Sequence, residues 1–241
     1  DLNTKEHVRN RIGFSRMEKK YEWKDHVIFM GLLFGIAVWV NGGIEIKGLY
    51  MDDLYFWSCY GEQSFFQYVF PMGSTRFRFL YYLAAWLEMA VVQNHVNWFV
   101  PINIFLNGLT ACTIYFIGRR LSGAKGIGFL SGFGYLMSRM AYYQIGQVLG
   151  LMETMALWMG IMILWGLYQY VNEEKGHRWY ILSSVLYFGV CFVHERYMAL
   201  LPLLLAALLF KKSRKAGEWA AALGAFGLVQ LIRFFTIGSV L

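Results

Sequence analysis

Charge and cysteine are both scarce in this chain. Lys, Arg, Asp and Glu make up 15% of its 241 residues, 58% are hydrophobic, and the mean hydropathy is +0.42. A water-soluble fold of this length cannot hide so much apolar surface, so the composition implies a membrane protein. Three cysteines, Cys59, Cys112 and Cys191, lie far apart without metal-like spacing, and two sit in apolar runs as small hydrophobes. That leaves no disulfide framework. Proline occurs three times, and Pro101 stands near the start of an apolar run, where its missing amide proton costs least. The strongly charged first 26 residues lack a small-residue cleavage site, so the apolar run after them reads as a retained signal anchor. Internal repeats and low-complexity tracts are absent. The chain opens on Asp and stops at Leu241 without a polar tail, as a fragment truncated at its C-terminus would.

What is present is a series of long apolar runs parted by short basic clusters. The net charge of +7 follows from cations avoiding hydrocarbon and calls for no nucleic-acid partner. A crossing helix needs roughly 20 residues. The candidates are Val27 to Ile44, Phe79 to Val92, Trp98 to Gly118, Gly126 to Met140, Leu149 to Val171, Trp179 to Val193, Met198 to Phe210 and Trp219 to Leu241. If all eight crossed, with Arg9, Arg11, Arg16, Lys19, Lys20 and Lys24 holding the N-terminus inside, two clusters would fall outside: Arg119, Arg120, Lys125 and Lys211, Lys212, Arg214, Lys215. The positive-inside rule opposes that layout. The conflict disappears if Phe79 to Val92, which is short, carries Glu88 and is flanked by Arg76, Arg78, Asn94, His95 and Asn97, lies in the interface instead.

The chain is therefore predicted to be all-α: a polytopic transmembrane bundle of about seven spans with a cytoplasmic N-terminus. Residues 1–26 form a cytoplasmic basic tail and 27–241 the transmembrane module. The first external loop, about 45–97, holds amphipathic stretches at Leu54 to Tyr60 and Phe65 to Phe70 as well as the interfacial helix. Only Lys47, Arg76, Arg78, Arg139 and Arg196 are left outside, with Arg233 inside the last span.

The candidate site residues gather on the outer side of this layout. Asp52 and Asp53 follow the first span and precede Tyr55-Phe56-Trp57, an aromatic stretch suited to the headgroup region. A half-buried carboxylate there is a general base, or else the pair caps the next helix. Arg76 and Arg78 are matched to a phosphate or pyrophosphate, or to anionic lipid headgroups. A second external turn, about Ser138 to Gly150, carries Arg139, Tyr142, Tyr143, Gln144 and Gln147 and reads as the lining of a cavity. Glu153 follows it inside an apolar run and needs water or a partner, such as Arg139 or a neighbouring helix. His194, Glu195 and Arg196 interrupt two apolar segments where a plain turn would need only Gly, Asn or Ser. Adjacent positions diverge on a helix and no second histidine lies at i+3 or i+4, so this trio is not read as a metal site. Arg233 falls toward the outer leaflet, and Asn103 and Asn107, four apart, are read as interhelical hydrogen-bonding groups. The cytoplasmic loops offer only basic clusters and Glu173-Glu174.

This arrangement resembles the GT-C superfamily of membrane glycosyltransferases, which includes protein O-mannosyltransferases and the aminoarabinose transferases of lipid A. Asp52-Asp53 matches the acidic motif after the first span, Arg78-Phe79-Leu80-Tyr81-Tyr82 occupies the place of a His-Pro-Pro-Leu-Tyr-Tyr-like stretch, and Gly118-Arg119-Arg120-Leu121 resembles the common cytoplasmic turn. The His-Pro-Pro element is missing, and the arginine at the start of the second span has no counterpart near Pro101 to Asn107. The resemblance implies a polyprenyl-phosphate-linked sugar as donor, Asp53 or Asp52 as base, and a donor phosphate held among Arg76, Arg78, Arg139, Arg196 and Arg233. The acceptor would be a glycan, lipid or protein hydroxyl on the outer face of the cytoplasmic membrane. It also implies that Leu241 closes the shared module. The sequence establishes no cofactor beyond that donor, and a divalent ion stays open, because two carboxylates alone do not establish a site. The rival readings are a transporter or lipid flippase, which should show internal repeats and broken helices, and a non-catalytic assembly subunit.

Overall fold

The computed structural model describes residues 23–49, 52–73, 76–147, 150–173, 176–213 and 215–238. Most of the basic tail, including Arg9, Arg11, Arg16, Lys19 and Lys20, lies outside these residues, as do Met51, Leu149, Glu174, Lys175, Arg214 and 239–241. The described residues are helical, with no strand among them. The first helix, α1, is Trp23–Asn41. It is followed by α2 (Asp52–Glu62), α3 (Phe65–Val69) and α4 (Phe79–Val92). A 3-10 turn, Val96–Trp98, then runs into α5 (Phe99–Ser122), and α6 (Lys125–Leu136), α7 (Arg139–Ile145) and α8 (Gly150–Asn172) follow. The chain continues through α9 (His177–Cys191), a second 3-10 turn (Glu195–Leu200), α10 (Leu201–Phe210) and α11 (Ala216–Ile237).

Four segments are long and apolar enough to cross a bilayer: α1, Val96–Ser122, α8 and α11. The protein is thus a helical membrane protein by length and composition. Apolar α6, α9 and α10 are shorter, at 12, 15 and 10 residues. The expected run Gly126 to Met140 is split because the Ser138 side chain accepts from Ala141 N and starts α7 afresh. The stretch predicted as an open turn is therefore largely helical.

Packing arranges these helices as antiparallel hairpins. In α5–α6 a methyl added at Gly128 would lie 2.6 Å from the Tyr115 carbonyl oxygen, and one at Gly132 would lie 2.7 Å from that of Ala111. Only glycine allows this approach, the means by which helices pack when hydrocarbon surrounds them. In α8–α9, Ser183 Oγ donates to the Ile163 carbonyl at 3.3 Å, and the Tyr170 and Tyr180 rings lie 4.7 Å apart.

The hairpins define two ends. At the basic end, Asp25 pairs with Lys125 at 2.6 Å, and buried Glu218 accepts from Tyr170 at 2.5 Å and meets His177 at 2.9 Å. At the opposite, loop-rich end, Asn103 donates to the carbonyls of Ile145 (3.1 Å) and Gln147 (2.9 Å), and Asn107 to that of Ala141 (2.9 Å), so both asparagines join α5 to α7 as expected. Both ends of α4 meet this loop-rich end. The Tyr81 amide at its start donates to the Phe192 carbonyl just past α9. Met89 and Val92 at its finish pack with Phe99 at the start of α5.

Candidate functional site

Three chain segments converge where α4, α8 and the turn after α9 meet. Arg78, the residue before α4, is buried. Its Nε and Nη2 donate to the two carboxylate oxygens of Glu195 at 2.5 and 2.6 Å, and Nη1 donates to Met152 Sδ at 3.1 Å. Burial pushes the Glu195 carboxyl upward, but the Arg78 hydrogen bonds and charge outweigh it and draw it down to about 2. Arg76 lies at the edge, its Nε 3.9 Å from the same carboxylate.

One helical turn into α8, Glu153 accepts from Arg196 Nη2 and faces His194 Nε2 at 3.6 Å. The Arg196 amide donates to His194 Nδ1 at 3.3 Å, which makes that nitrogen the acceptor and places the ring proton on Nε2, toward Glu153. Burial and the charges of Arg196 and Arg78 lower the His194 pKa, so the ring is neutral at pH 7. Two carboxylates thus hold two guanidinium groups side by side, with a neutral imidazole between their helices. The sequence expectation that Glu153 requires a partner holds, and the partners come from the turn after α9.

Asp52 and Asp53 open α2 at this same end. Four residues after Asp52, Phe56 packs its ring 5.6 Å from Tyr81 and 5.4 Å from Tyr82, which fixes the start of α2 over the first turn of α4. Burial raises the Tyr81 phenol, and the nearby charges of Tyr68, Glu88 and Asp53 raise it further. Asp52 is exposed and Asp53 half-buried.

The remaining predicted residues have other surroundings. Arg139, Tyr142 and Tyr143 are exposed on α7. Buried Gln144 is tied into the helix packing, its Oε1 accepting from Thr154 (3.2 Å) and Tyr135 (3.3 Å), while the Gln147 carbonyl serves Asn103. Arg233 is enclosed in α11, close enough to Cys191 to influence it, and its Nε and Nη1 have no partner among the described residues. It makes no ion pair with Glu153 or Glu195.

No protein family, curated protein or solved structure matches the chain.

Sequence reasoning missed the thioether of Met152 as a rest for Arg78 and the burial of Glu88. Both oxygens of Glu88 are enclosed without a partner among the described residues, and burial lifts its carboxyl to about 8. The spacing Tyr81, Ala85, Glu88, Val92 was the available signal, because it places the acid on the packed face of α4. Among the described residues no three or more His, Cys, Asp or Glu side chains gather as a metal site would need. What this end offers is the partly exposed guanidinium groups of Arg76 and Arg196, and, on the helix that Phe56 packs over Tyr81 and Tyr82, the acids Asp52 and Asp53.

Proposed function

We propose that this chain is the membrane module of a GT-C-like glycosyltransferase that takes a sugar from a polyprenyl-phosphate donor on the outer face of the cytoplasmic membrane. In this reading α1, α5, α6 with α7, α8, α9, α10 with residues 198–200 before it, and α11 form seven crossings, and the basic end faces the cytoplasm. Helices α2, α3 and α4 lie along the outer boundary. The observation that carries the reading is that Phe56, on the helix that Asp52 and Asp53 open, packs on Tyr81 and Tyr82, just after the arginines that precede α4 and at the end away from the basic clusters. The attachment of both ends of α4 to that same end supports its interfacial placement.

The donor's phosphate would rest against Arg76 and Arg196, with Arg78 held in place behind them by Glu195. Asp53, with Asp52 beside it, takes the proton from the acceptor hydroxyl. The freed oxygen attacks the anomeric carbon, the bond from that carbon to the phosphate oxygen breaks, and polyprenyl phosphate departs with the configuration inverted. The guanidinium groups receive the charge that develops on the leaving phosphate.

The test is transfer from a radiolabelled polyprenyl-phosphate sugar in membranes carrying the full-length protein. Replacing Asp52 and Asp53 together by Asn should abolish transfer with insertion unchanged; retained activity removes the acid–base role. A second reading, transport of a lipid or proton, is favoured by buried, incompletely partnered Arg233. It requires substrate flux across proteoliposomes that is lost on Arg233→Met, without any sugar transfer.

A further inference from the structure

Away from the cluster, α5 and α8 part toward the basic end. Trp158 Nε1 donates to Thr113 Oγ1 at 3.2 Å, and from that tie a groove of about 690 Å³ opens along the two helices. One wall is Thr113, Phe116 and Ile117; the other is Trp158, Met162 and Trp165. The spacings i, i+3, i+4 and i, i+4, i+7 place each set on a single helix face. Arg119 and Arg120 stand at the mouth, where α5 ends, and no acidic residue lines the groove among the described residues.

We propose that this groove binds one anionic membrane phospholipid. Its acyl chain would lie between the aromatic walls and its phosphate at Arg120. From Thr113 to Arg120 is seven residues, about 10 Å of helix, which fits within the roughly 15 Å depth of one leaflet. The Trp158–Thr113 bond closes the deep end, so the groove takes a chain from one leaflet and does not lead through the bundle. Arg119 is engaged with His26, its Nη1 2.6 Å from Nε2, and so belongs to the frame of the mouth. Arg120 is exposed and makes no hydrogen bond or ion pair with another described residue, which leaves its guanidinium available to a headgroup. Trp165, the wall residue of α8 nearest the basic end, would then lie toward the headgroups, where aromatic rings are favoured. Charge complementarity selects an anionic lipid over a neutral one. This site lies at the opposite end from the acid–arginine cluster and does not depend on the glycosyltransferase reading.

The test uses the full chain, delipidated in detergent and titrated with phosphatidylglycerol or phosphatidylcholine of matched acyl chains, with bound lipid counted by native mass spectrometry. One phosphatidylglycerol should bind about fivefold more tightly than phosphatidylcholine, the preference expected from one basic residue near a membrane surface. Arg120→Ala should remove that preference. Met162→Trp, which fills the groove, should weaken both lipids, and Lys212→Ala, at the same end but outside the groove, should change neither. Arg120→Ala alters an exposed side chain, so it decides the headgroup question even if the filling variant does not fold. Equal binding of the two lipids, an unchanged preference in Arg120→Ala, or an equal loss in Lys212→Ala would overturn the site. So would displacement of the lipid by excess inorganic phosphate, which would mark a plain anion site.

Discussion

The guanidinium of Arg78 grips both oxygens of Glu195 across 117 residues of sequence, and through them the start of α4 is locked to the turn after α9. Arg78 is almost fully enclosed while Glu195 keeps about a quarter of its side-chain surface open. The pair therefore lies between the exposed and buried limits for ion pairs. Glu195→Ala should lower stability by about 2–4 kcal/mol, because it strands a buried guanidinium. Converting both residues to Met should recover much of that loss, and thermal unfolding in detergent of the two single variants and the double variant measures the coupling.

Acid should loosen the same lock. The Glu195 carboxyl is depressed from an ordinary 4.5 to about 2, so its contribution is fully present above pH 4.5 and is lost as pH falls toward 2. The melting temperature should drop across that window in the native chain, and the part due to this group should vanish in Glu195→Gln.

Glu88 should act in the opposite sense. Its carboxyl is raised from 4.5 to about 8, so the folded state retains a proton that the unfolded chain releases. Stability should fall as pH rises from 4.5 to 8, by roughly 1.4 kcal/mol per pH unit at most. Glu88→Gln should flatten this slope and melt above the native protein at pH 8; an unchanged slope would mean that water reaches the carboxylate.

Membrane placement of α4 is open to direct measurement. Single cysteines at Arg76 and Gln93, on either side of the helix, should both react with an impermeant thiol reagent from the side that labels Gln63. A cysteine at Lys212 should react only from the other side. The three native cysteines are buried and can be replaced first. Opposite-sided labelling of positions 76 and 93 would remove the interfacial reading and the shared site with it.

The asparagine ties offer a test of packing. Asn107→Leu removes the side-chain donor to the Ala141 carbonyl and the nearer acceptor of the Tyr135 hydroxyl, which keeps only its longer bond to Gln144. The expected cost is about 1–2 kcal/mol, since interhelical hydrogen bonds in bilayers are individually modest. It is read as a lower melting temperature with helicity by circular dichroism retained.

Much of the fold was legible because hydrocarbon imposes strict rules on sequence. The predicted stretch Phe79 to Val92 is the helix α4, and Leu54 to Tyr60 and Phe65 to Phe70 fall on α2 and α3. The α7 segment was read as a turn because seven residues are too few for a helical period to emerge, and its helix depends on the Ser138 cap. In the candidate site, the need of Glu153 for a partner was readable from its cost in an apolar run. The choice of Arg196 over Arg139 was not, since 43 residues separate Arg196 from Glu153 and only packing brings them together. Arg233 was expected toward the outer end of the last span; it lies buried near Cys191, the last residue of α9, and makes no ion pair with Glu153 or Glu195 among the described residues.

The sequence by itself determined that this is a helical membrane protein with its basic clusters in short loops, because apolar run length and the cost of charge in lipid act locally along the chain. Which acid meets which arginine, and where a groove opens between α5 and α8, was decided only by the tertiary structure. Those outcomes depend on the rotation and tilt of each helix against its neighbours, set by glycine contacts and side-chain hydrogen bonds between distant residues.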